Sequence, residues 1–286
     1  MRRWAGLLLL AATTLGPVFA AATGSGEAPG AVAALATAPP PDRFPRAAAA
    51  YLVALDGREL WARQADASRP PASLTKIMAA LVALEGPWSA DALATVSRRA
   101  ARATGTRLGL KAGEQLRAGD LLAATLVASA NDACLALAEH LAGSEAAFVD
   151  RMNARAVALG LRATHFENAC GHDGPGQRAS ARDLLTLTRA ALRHGEVRRL
   201  AALQEVTIRT EAGRAIPLKT TNALLGRLDG ARGVKTGYTP GAGRCVVALV
   251  QRGDAELLLV LLDAADRWWA AAGLVEKAFD EARPGG

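Results

Sequence analysis

Two hairpin patterns, one near each end of the chain, constrain the fold most strongly. Near the N-terminal end, an apolar run over residues 49–55 leads through Asp56-Gly57 into an alternating segment over 59–64. Asp-Gly is a favoured two-residue hairpin turn. Near the C-terminal end, residues 246–251 and 256–262 are apolar and flank a second turn. Hairpins join antiparallel neighbours, so we predict an antiparallel sheet built from both ends of the chain.

The middle of the chain has helical patterns. Pro70 and Pro71 end the first sheet segment, and a helix is predicted from residue 72 or 73 to about residue 84. Asp120 is expected to cap a helix over residues 121–128. Further helices are predicted at 132–141, 145–159, 181–193 and 267–282, and further strands at 205–209, 215–218 and 233–238. The predicted class is α+β, with helices packed on an antiparallel sheet.

The N-terminal residues have the composition of an export signal. Arg2 and Arg3 precede an apolar stretch over residues 7–15, and small residues follow around a cleavage point. We predict a signal peptide at 1–22, a flexible leader rich in Ala, Gly and Pro at 23–46, and one folded domain at 47–282. The alternative is an uncleaved anchor, because residues 4–22 approach spanning length. Either way the folded part is exported, to the periplasm or the extracellular space. No C-terminal membrane anchor is expected.

The charge balance bears on the partner. The formal net charge is +7, but the arginines are scattered and only 4% of residues are aromatic. A nucleic-acid site built on stacked aromatic side chains is therefore not expected. Attraction to an anionic polymer of the cell envelope and a simple excess of arginine on a solvated surface are both compatible with this charge.

Cysteine and histidine do not form a metal-binding pattern. The three cysteines are Cys134, Cys170 and Cys245, and no pair has zinc spacing. We predict that two or all three are buried free thiols, with a Cys134–Cys170 bridge as the alternative. The four histidines show no His-x-x-x-His pattern. No metal or other cofactor is predicted.

Lysine is rare, and two of its copies lie in short motifs that carry chemistry. Only five of the 34 basic residues are lysine. Lys76 ends the sequence Ser73-Leu74-Thr75-Lys76 at a predicted helix start, so it shares a face with Ser73. A lysine can lose its proton when buried, whereas an arginine cannot. The positive end of the helix, burial and a second ammonium would lower the pKa of Lys76. Ser73 is therefore predicted to be a nucleophile with Lys76 as its base.

Two further motifs supply polar groups suited to the same reaction. Ser129 and Asn131 lie between two predicted helices; we expect Ser129 to relay a proton to a leaving amine and Asn131 to hold the substrate backbone. Lys235 and Thr236 offer a charge and a hydroxyl for a carboxylate. Gly237 leaves room for an extended peptide along the strand edge. The backbone N–H groups of Ser73 and Tyr238 are the expected oxyanion donors.

Each motif alone is weak, but the three in this order are specific. The chain resembles the D-alanyl-D-alanine carboxypeptidases, the low-molecular-mass penicillin-binding proteins. The resemblance covers residues 47–282 and is carried by 71–78, 128–133, 180–183, 186–188 and 233–239. It implies an antiparallel five-stranded sheet flanked by helices, with a mainly helical lobe, as in the serine β-lactamases. It also implies that Ser73 forms the acyl-enzyme, with Lys76, Ser129, Lys235 and Thr236 in the roles given above.

The expected activity is therefore that of a serine D,D-carboxypeptidase. It removes the terminal D-Ala from peptidoglycan stem peptides, and β-lactams trap its Ser73 ester. The chain departs from the family pattern at Tyr238, where histidine is frequent, and around Glu167–Gly171, where a His-Gly-Leu run is usual. The second departure puts substrate preference in question.

Three alternatives stay open at this point. A D,D-endopeptidase would use the same residues on a cross-link. A serine β-lactamase would need a base that activates water, for which Glu167 is the candidate; we interpret it as a loop carboxylate. A cell-wall binding or sensing module with a relic site is the non-enzymatic alternative, and the intact motifs argue against it.

Overall fold

A five-stranded antiparallel sheet lies at the centre of the computed structural model, which describes residues 42–282. In chain order the strands are β1 (Ala50–Leu55), β2 (Arg58–Arg63), β3 (Leu93–Thr95), β4 (Gln115–Arg117), β5 (Glu205–Arg209), β6 (Ala215–Lys219), β7 (Ala231–Thr239), β8 (Gly243–Arg252) and β9 (Ala255–Leu262). The large sheet has the order β2-β1-β9-β8-β7, and every pairing in it is antiparallel. The predicted sheet is confirmed, and β7 forms one of its edges.

Helices cover the sheet and form a separate lobe. They are α1 (Lys76–Glu85), α2 (Arg98–Ala101), α3 (Ala118–Leu126), α4 (Asn131–Ala142), α5 (Glu145–Ala158), α6 (Ala181–Ala191), α7 (Gly195–Ala201) and α8 (Arg267–Ala282). A 3-10 turn over Ala72–Thr75 precedes α1. The α+β class is therefore confirmed, and the long predicted helices are present with ends shifted by a few residues.

The alternation of side chains along the strands explains the layers. Leu257, Leu259 and Leu261 of β9 pack with α8 on one face of the sheet. Leu258 and Val260 point to the opposite face, into the core shared with the helical lobe. Successive side chains of a strand point to opposite faces, so an unbroken apolar strand indicates burial on both sides. Truncating one such leucine to alanine typically costs about 2–5 kcal/mol of stability.

Several short elements were not predicted. Strands β3 and β4 pair with each other, and helices α2 and α7 contain 4 and 7 residues. Asp120 was expected to cap α3, but that helix starts at Ala118 after Arg117, and Asp120 lies within its first turn. An acidic residue there still favours the helix, because it faces the unpaired N–H groups of the first turn.

The prediction of free thiols is wrong for two of the cysteines. Cys134 and Cys170 form a disulfide with their Cα atoms 6.0 Å apart, whereas Cys245 is a buried free thiol. The bridge joins α4 to a loop that lies 36 residues further along the chain. The sequence offered this pairing only as an alternative, because the distance between Cys134 and Cys170 depends on the tertiary fold.

The described chain begins within the predicted leader. The carboxylate of Asp42 accepts hydrogen bonds from the Tyr51 hydroxyl at 2.5 Å and from Arg63 Nη1 at 2.7 Å. Phe44 packs edge-on against Trp61. Asp42 and Phe44, which the sequence placed in the leader, thus contact the folded body. The predicted signal peptide lies outside the described residues. No helix within residues 42–282 is long and apolar enough to cross a bilayer.

Candidate active site

The 3-10 turn before α1 presents Ser73 at the boundary between the sheet and the helical lobe. Ala72 adopts a left-handed conformation with φ of 48°, and the Thr75 hydroxyl donates to the Ala72 carbonyl at 2.8 Å. A left-handed non-glycine residue is unusual and is characteristic of functional turns. The predicted helix start is thus a tighter turn, in which Ser73 still precedes Lys76 by three residues.

The Lys76 ammonium is fully buried and has three acceptors. Its Nζ atom lies 3.0 Å from Ser73 Oγ and 2.7 Å from Asn131 Oδ1, and it also donates to the Cys170 carbonyl. Asn131 is the first residue of α4, so the Ser-x-Asn motif reaches Lys76 from a different helix. The structure therefore brings Ser73, Lys76 and Asn131 together as one hydrogen-bonded cluster.

The second cluster joins Lys235 on β7 to Ser129. Lys235 Nζ donates to Ser129 Oγ at 2.8 Å and to the Thr236 carbonyl at 3.0 Å. Ser129 has a positive φ of 59°, and this left-handed conformation turns the chain sharply between α3 and α4. Both residues are buried, so the hydroxyl and the ammonium meet away from bulk water.

Burial shifts both lysine pKa values downward. Desolvation lowers the pKa of Lys76 well below its usual value, and repulsion from Lys235 lowers it further. Desolvation and repulsion from Arg267 lower the pKa of Lys235 to about 7. Burial removes water from the charged ammonium, which depends on hydration more than the neutral amine does. Burial therefore favours the neutral form and lowers the pKa. The neutral form of the Lys76 amine, which is the form that accepts a proton, is thereby favoured.

Gly237 lies against the Ser73 turn. A Cβ atom added at Gly237 would be 2.9 Å from Ala72 Cβ and 3.1 Å from the Ser73 backbone nitrogen. We predicted that Gly237 leaves room for an extended peptide. On this side of the strand, the Ser73 turn occupies that room. The glycine lets strand and turn approach so closely that the Ser73 N–H and the backbone of β7 are neighbours.

The remaining motif residues lie on the same strand with different environments. The Thr236 hydroxyl is 2.6 Å from the Thr221 hydroxyl and is buried. The Tyr238 side chain is 62% exposed, so only its backbone belongs to the strand edge near Ser73. Thr221 had no sequence signal, because a lone threonine in a loop has no diagnostic pattern.

Arg267 at the start of α8 was also missed. Its Nη1 atom donates to the Gly237 carbonyl at 2.6 Å and to the Cys245 carbonyl at 3.2 Å. It ties the end of β7 to β8 and places a positive charge near Lys235. Burial and repulsion from Arg244 outweigh the opposing influence of Cys245, and the pKa of Arg267 is lowered. The sequence predicted the start of this helix, but no sequence pattern connects Arg267 with β7.

The loop that contains Cys170 forms one wall of the site. The Asn168 side-chain oxygen accepts backbone N–H groups from Cys170, Gly171 and His172 at 2.7–3.2 Å. A Cβ atom at Gly171 would lie only 2.0 Å from the Ala72 carbonyl oxygen, and its φ of 88° also favours glycine. The disulfide fixes the same loop to α4. The loop is thus held against the Ser73 turn at several points.

A buried carboxylate supports the opposite wall. Asp132 accepts N–H groups from Leu108 at 2.9 and 3.1 Å and from Leu110 at 3.1 Å. Its neighbour Asn131 donates through Nδ2 to the Thr104 carbonyl at 2.6 Å. Two consecutive residues of α4 therefore hold the segment 104–110 beside the site. In the part of the chain that the structure describes, no cluster of three His, Cys, Asp or Glu could hold a metal ion.

The sequence pattern that defines the peptidase S11 family, described as D-alanyl-D-alanine carboxypeptidase, matches residues 36–266. The chain belongs to this family. D-alanyl-D-alanine carboxypeptidase DacF of Bacillus subtilis is 32% identical to it over 223 residues, which cover 76% of this chain and 57% of DacF. DacD of Escherichia coli is 36% identical over 219 residues, which cover 73% of this chain and 55% of DacD.

The fold comparison agrees with the family. The crystal structure of the Streptomyces K15 DD-transpeptidase superimposes with a TM-score of 0.78 at 27% identity, covering 82% of this chain and 97% of the other. The penicillin-binding-protein fold expected from the motifs is confirmed. The chain spans little more than half the length of the two curated carboxypeptidases.

Proposed function

We propose that this protein is a serine D,D-carboxypeptidase that removes the terminal D-Ala from peptidoglycan stem peptides. The observation that carries the proposal is the buried Lys76 amine, 3.0 Å from the Ser73 hydroxyl and with a strongly lowered pKa. A nucleophile within hydrogen-bond reach of a neutral base is the minimum for acyl transfer. Membership of a D-alanyl-D-alanine carboxypeptidase family supports the substrate class.

In the first step, Lys76 accepts the Ser73 proton as Ser73 Oγ attacks the carbonyl carbon of the penultimate D-Ala. The new C–O bond converts the carbonyl into a tetrahedral oxyanion. The Ser73 and Tyr238 N–H groups are the proposed donors to this oxygen, and one such donor is typically worth about 3–4 kcal/mol in the transition state. The close contact between Gly237 and the Ser73 turn supports this pairing.

In the second step, the C–N bond breaks and terminal D-Ala leaves as an amine. Ser129 is the proposed proton donor to that nitrogen. Its Oγ already accepts a hydrogen bond from Lys235 Nζ at 2.8 Å, so its own proton is free to point elsewhere. Proton transfer by a positioned group typically contributes about 10²–10⁴-fold to a rate. In this proposal Lys76 passes the proton that it took from Ser73 to Ser129, which restores the Ser129 hydroxyl and the neutral Lys76 amine. Water then attacks the ester carbonyl and gives a proton to Lys76. The C–O bond to Ser73 breaks, Lys76 returns that proton to Ser73 Oγ, and the shortened peptide leaves as a carboxylic acid.

Lys235 and Thr236 are the proposed partners of the substrate's terminal carboxylate, and Asn131 is the proposed partner of its backbone. A lysine with a pKa of about 7 is only partly charged in the free protein. An incoming carboxylate favours the charged form, so substrate binding would itself draw a proton onto Lys235. The Thr236 hydroxyl, paired with that of Thr221, is the neutral hydrogen-bond donor beside it.

The surroundings of Glu167 favour a carboxypeptidase over a β-lactamase. The Glu167 carboxylate packs against Gly174 and Gly176: a Cβ atom at Gly174 would lie 2.2 Å from Glu167 Oε2. Glu167 is exposed. Within residues 42–282, no hydrogen bond connects its carboxylate to Ser73 or Lys76. Both carboxylate oxygens instead pack against the backbone of its own loop, at Gly174 and Gly176. This supports its interpretation as a loop carboxylate.

The proposed substrate lies outside the cytoplasm, and the proposed location is accordingly the periplasm or the extracellular space. The signal peptide predicted at residues 1–22 supports export. β-Lactams are the proposed covalent inhibitors, because their strained amide would acylate Ser73 in place of the peptide.

A pair of assays tests the proposal. Purified protein is labelled with a fluorescent penicillin, and D-Ala release from a pentapeptide is followed in parallel. Stable labelling with D-Ala release supports the carboxypeptidase, and Ser73→Ala abolishes both signals. Rapid loss of the label with fast penicillin turnover would indicate a β-lactamase. Cleavage of cross-linked dimers alone would indicate an endopeptidase. Cell-wall binding without labelling or cleavage would indicate a binding module.

A further inference from the structure

A cavity of about 650 Å³ lies beside the proposed catalytic cluster and has a basic wall. Arg98 and Arg99 belong to α2, and Arg102 follows it directly. Asn131 and His172 also line the cavity. Three arginines within five positions thus face one concavity, although the arginines of the chain as a whole are scattered.

The cavity shares a wall with the reacting groups. Asn131 lines it and also accepts a hydrogen bond from Lys76 at 2.7 Å, and Lys76 in turn reaches Ser73 at 3.0 Å. Asn131 in the cavity lining is therefore two hydrogen bonds from the proposed nucleophile. His172 Nε2 lies 3.2 Å from Asn131 Nδ2. The cavity thus adjoins the cluster at which a peptide would acylate Ser73 in the proposed function.

The charge of the wall is only partly compensated. Arg99 pairs with Glu145, which is the one acidic residue that lines the cavity. Glu145 also accepts the Ala169 N–H at 3.0 Å, so its carboxylate is occupied by a structural role in the Cys170 loop. Arg98 and Arg102 are exposed, and within residues 42–282 neither has an ion-pair partner. Two cationic groups at the cavity are thus available to an external anion.

We propose that this cavity binds a free carboxylate of the acyl-donor peptide, upstream of its D-Ala-D-Ala end, through Arg98 and Arg102. The inference rests on the proposed function and adds the substrate class: an acidic stem peptide is preferred over one whose side carboxylates are amidated. Arginine suits this task because its planar guanidinium donates two parallel hydrogen bonds to a carboxylate. The preference should weaken as ionic strength rises, because the arginines are exposed.

The first experiment compares two penicillins that differ by one carboxylate. Carbenicillin is benzylpenicillin with an added carboxylate on its acyl side chain, so the ratio of the two second-order acylation rates isolates that group. Arg98→Gln/Arg102→Gln is expected to lower the ratio of carbenicillin to benzylpenicillin rates by about tenfold. Arg193→Gln/Arg227→Gln removes two equally exposed charges that do not line the cavity. This control should leave the ratio unchanged. An equal ratio in all three proteins, or an equal fall in both variants, overturns the inference.

A second experiment does not depend on acylation. Ser73→Ala protein is titrated by calorimetry with an N-acetylated γ-D-glutamyl pentapeptide that ends in D-Ala-D-Ala, and with its isoglutamine analogue. Tighter binding of the free-carboxylate peptide that disappears on adding Arg98→Gln/Arg102→Gln supports the inference. Equal affinities overturn it, even if penicillin acylates the wild type normally. Failure of the wild type to react with either penicillin would instead contradict the proposed function, and the calorimetry would then decide the inference separately.

Discussion

The disulfide between Cys134 and Cys170 joins the two segments that supply acceptors to Lys76. Asn131 lies one helical turn before Cys134 and accepts from Lys76 Nζ, and the backbone carbonyl of Cys170 accepts from the same atom. One covalent bond therefore constrains both groups that orient the amine beside Ser73.

Removing this bond should lower both stability and reactivity. Cys134→Ala/Cys170→Ala is expected to reduce the free energy of unfolding by about 2–4 kcal/mol, because the unfolded chain is no longer restricted by a 36-residue loop. Acylation by penicillin should also slow, since the Cys170 loop is less firmly held. Urea unfolding and fluorescent penicillin labelling measure the two effects. Cys245→Ala retains the bridge and is the control; equal losses in both variants would contradict the prediction.

The rate of acylation should depend on pH through both lysines. In the proposed mechanism Lys76 reacts as the neutral amine, so activity is expected above its lowered pKa. The proposed carboxylate partner Lys235 acts as the ammonium, so activity is expected below its pKa of about 7 and is lost as the pH rises through that value. Lys235→Arg should move the alkaline limb of the kcat/KM profile to higher pH, because arginine stays charged.

The position of the alkaline limb, rather than the height of the profile, is the quantity to compare, because a larger side chain at a buried site also changes the absolute rate. Lys219→Arg makes the same substitution at an exposed position and should leave the limb where it is. An alkaline limb that stays in place in Lys235→Arg would mean that another group titrates there.

Gly237→Ala should disrupt the contact between β7 and the Ser73 turn. The new methyl group would lie 2.9 Å from Ala72 Cβ and 3.1 Å from the Ser73 nitrogen. Overpacking of this kind typically costs about 1–3 kcal/mol, and displacement of an oxyanion donor costs about 10²-fold in rate. Gly273→Ala in α8 meets nothing within 4 Å and should stabilise the helix slightly. Penicillin acylation rates and melting temperatures distinguish the two; normal acylation by Gly237→Ala would refute the proposed geometry.

Asp132→Asn should loosen the segment beside the site without removing a motif side chain. The Leu108 and Leu110 N–H groups donate to Oδ2, and the Leu108 and Ala133 N–H groups donate to Oδ1. An asparagine has only one acceptor oxygen, so its NH2 group faces backbone N–H groups in either orientation of the amide. An unsatisfied buried donor costs about 1–3 kcal/mol. Chemical denaturation measures the loss, and hydrogen exchange over 104–110 locates it. Asp150→Asn on an exposed face of α5 should change stability by less than about 0.5 kcal/mol. Unchanged hydrogen exchange over residues 104–110 in Asp132→Asn would contradict the proposal that the Asp132 carboxylate holds this segment.

The elements that were predicted correctly have strong local signals. Strand β9 is an unbroken apolar run, and α6 starts at a serine whose side chain accepts the Asp183 N–H. Strands β3 and β4 have three residues each and are stabilised by pairing with each other, which no local period reveals. Asp56-Gly57 and Arg252-Gly253-Asp254 marked the hairpins, and Asp56, Gly57 and Gly253 adopt the left-handed conformations that such turns need.

The site was partly predictable for a similar reason. Ser73, Lys76, Ser129 and Lys235 are recognisable because the chemistry requires these side chains in fixed motifs. The Cys170 carbonyl has no such signature, since every residue has a backbone acceptor and only the tertiary fold selects this one. Arg267 acts on the Gly237 carbonyl from a helix 30 residues away, and its type is too common in this chain to stand out.

The unpaired edge of strand β7 affects how the protein behaves in concentrated solution. Within residues 42–282 it is hydrogen-bonded to β8 alone, so its second side has no strand partner. An unpaired strand edge is a template for the strand of another molecule. At high concentration, pairing between the β7 edges of two copies would use the backbone groups that we propose for the substrate, so a bound peptide is expected to oppose self-association.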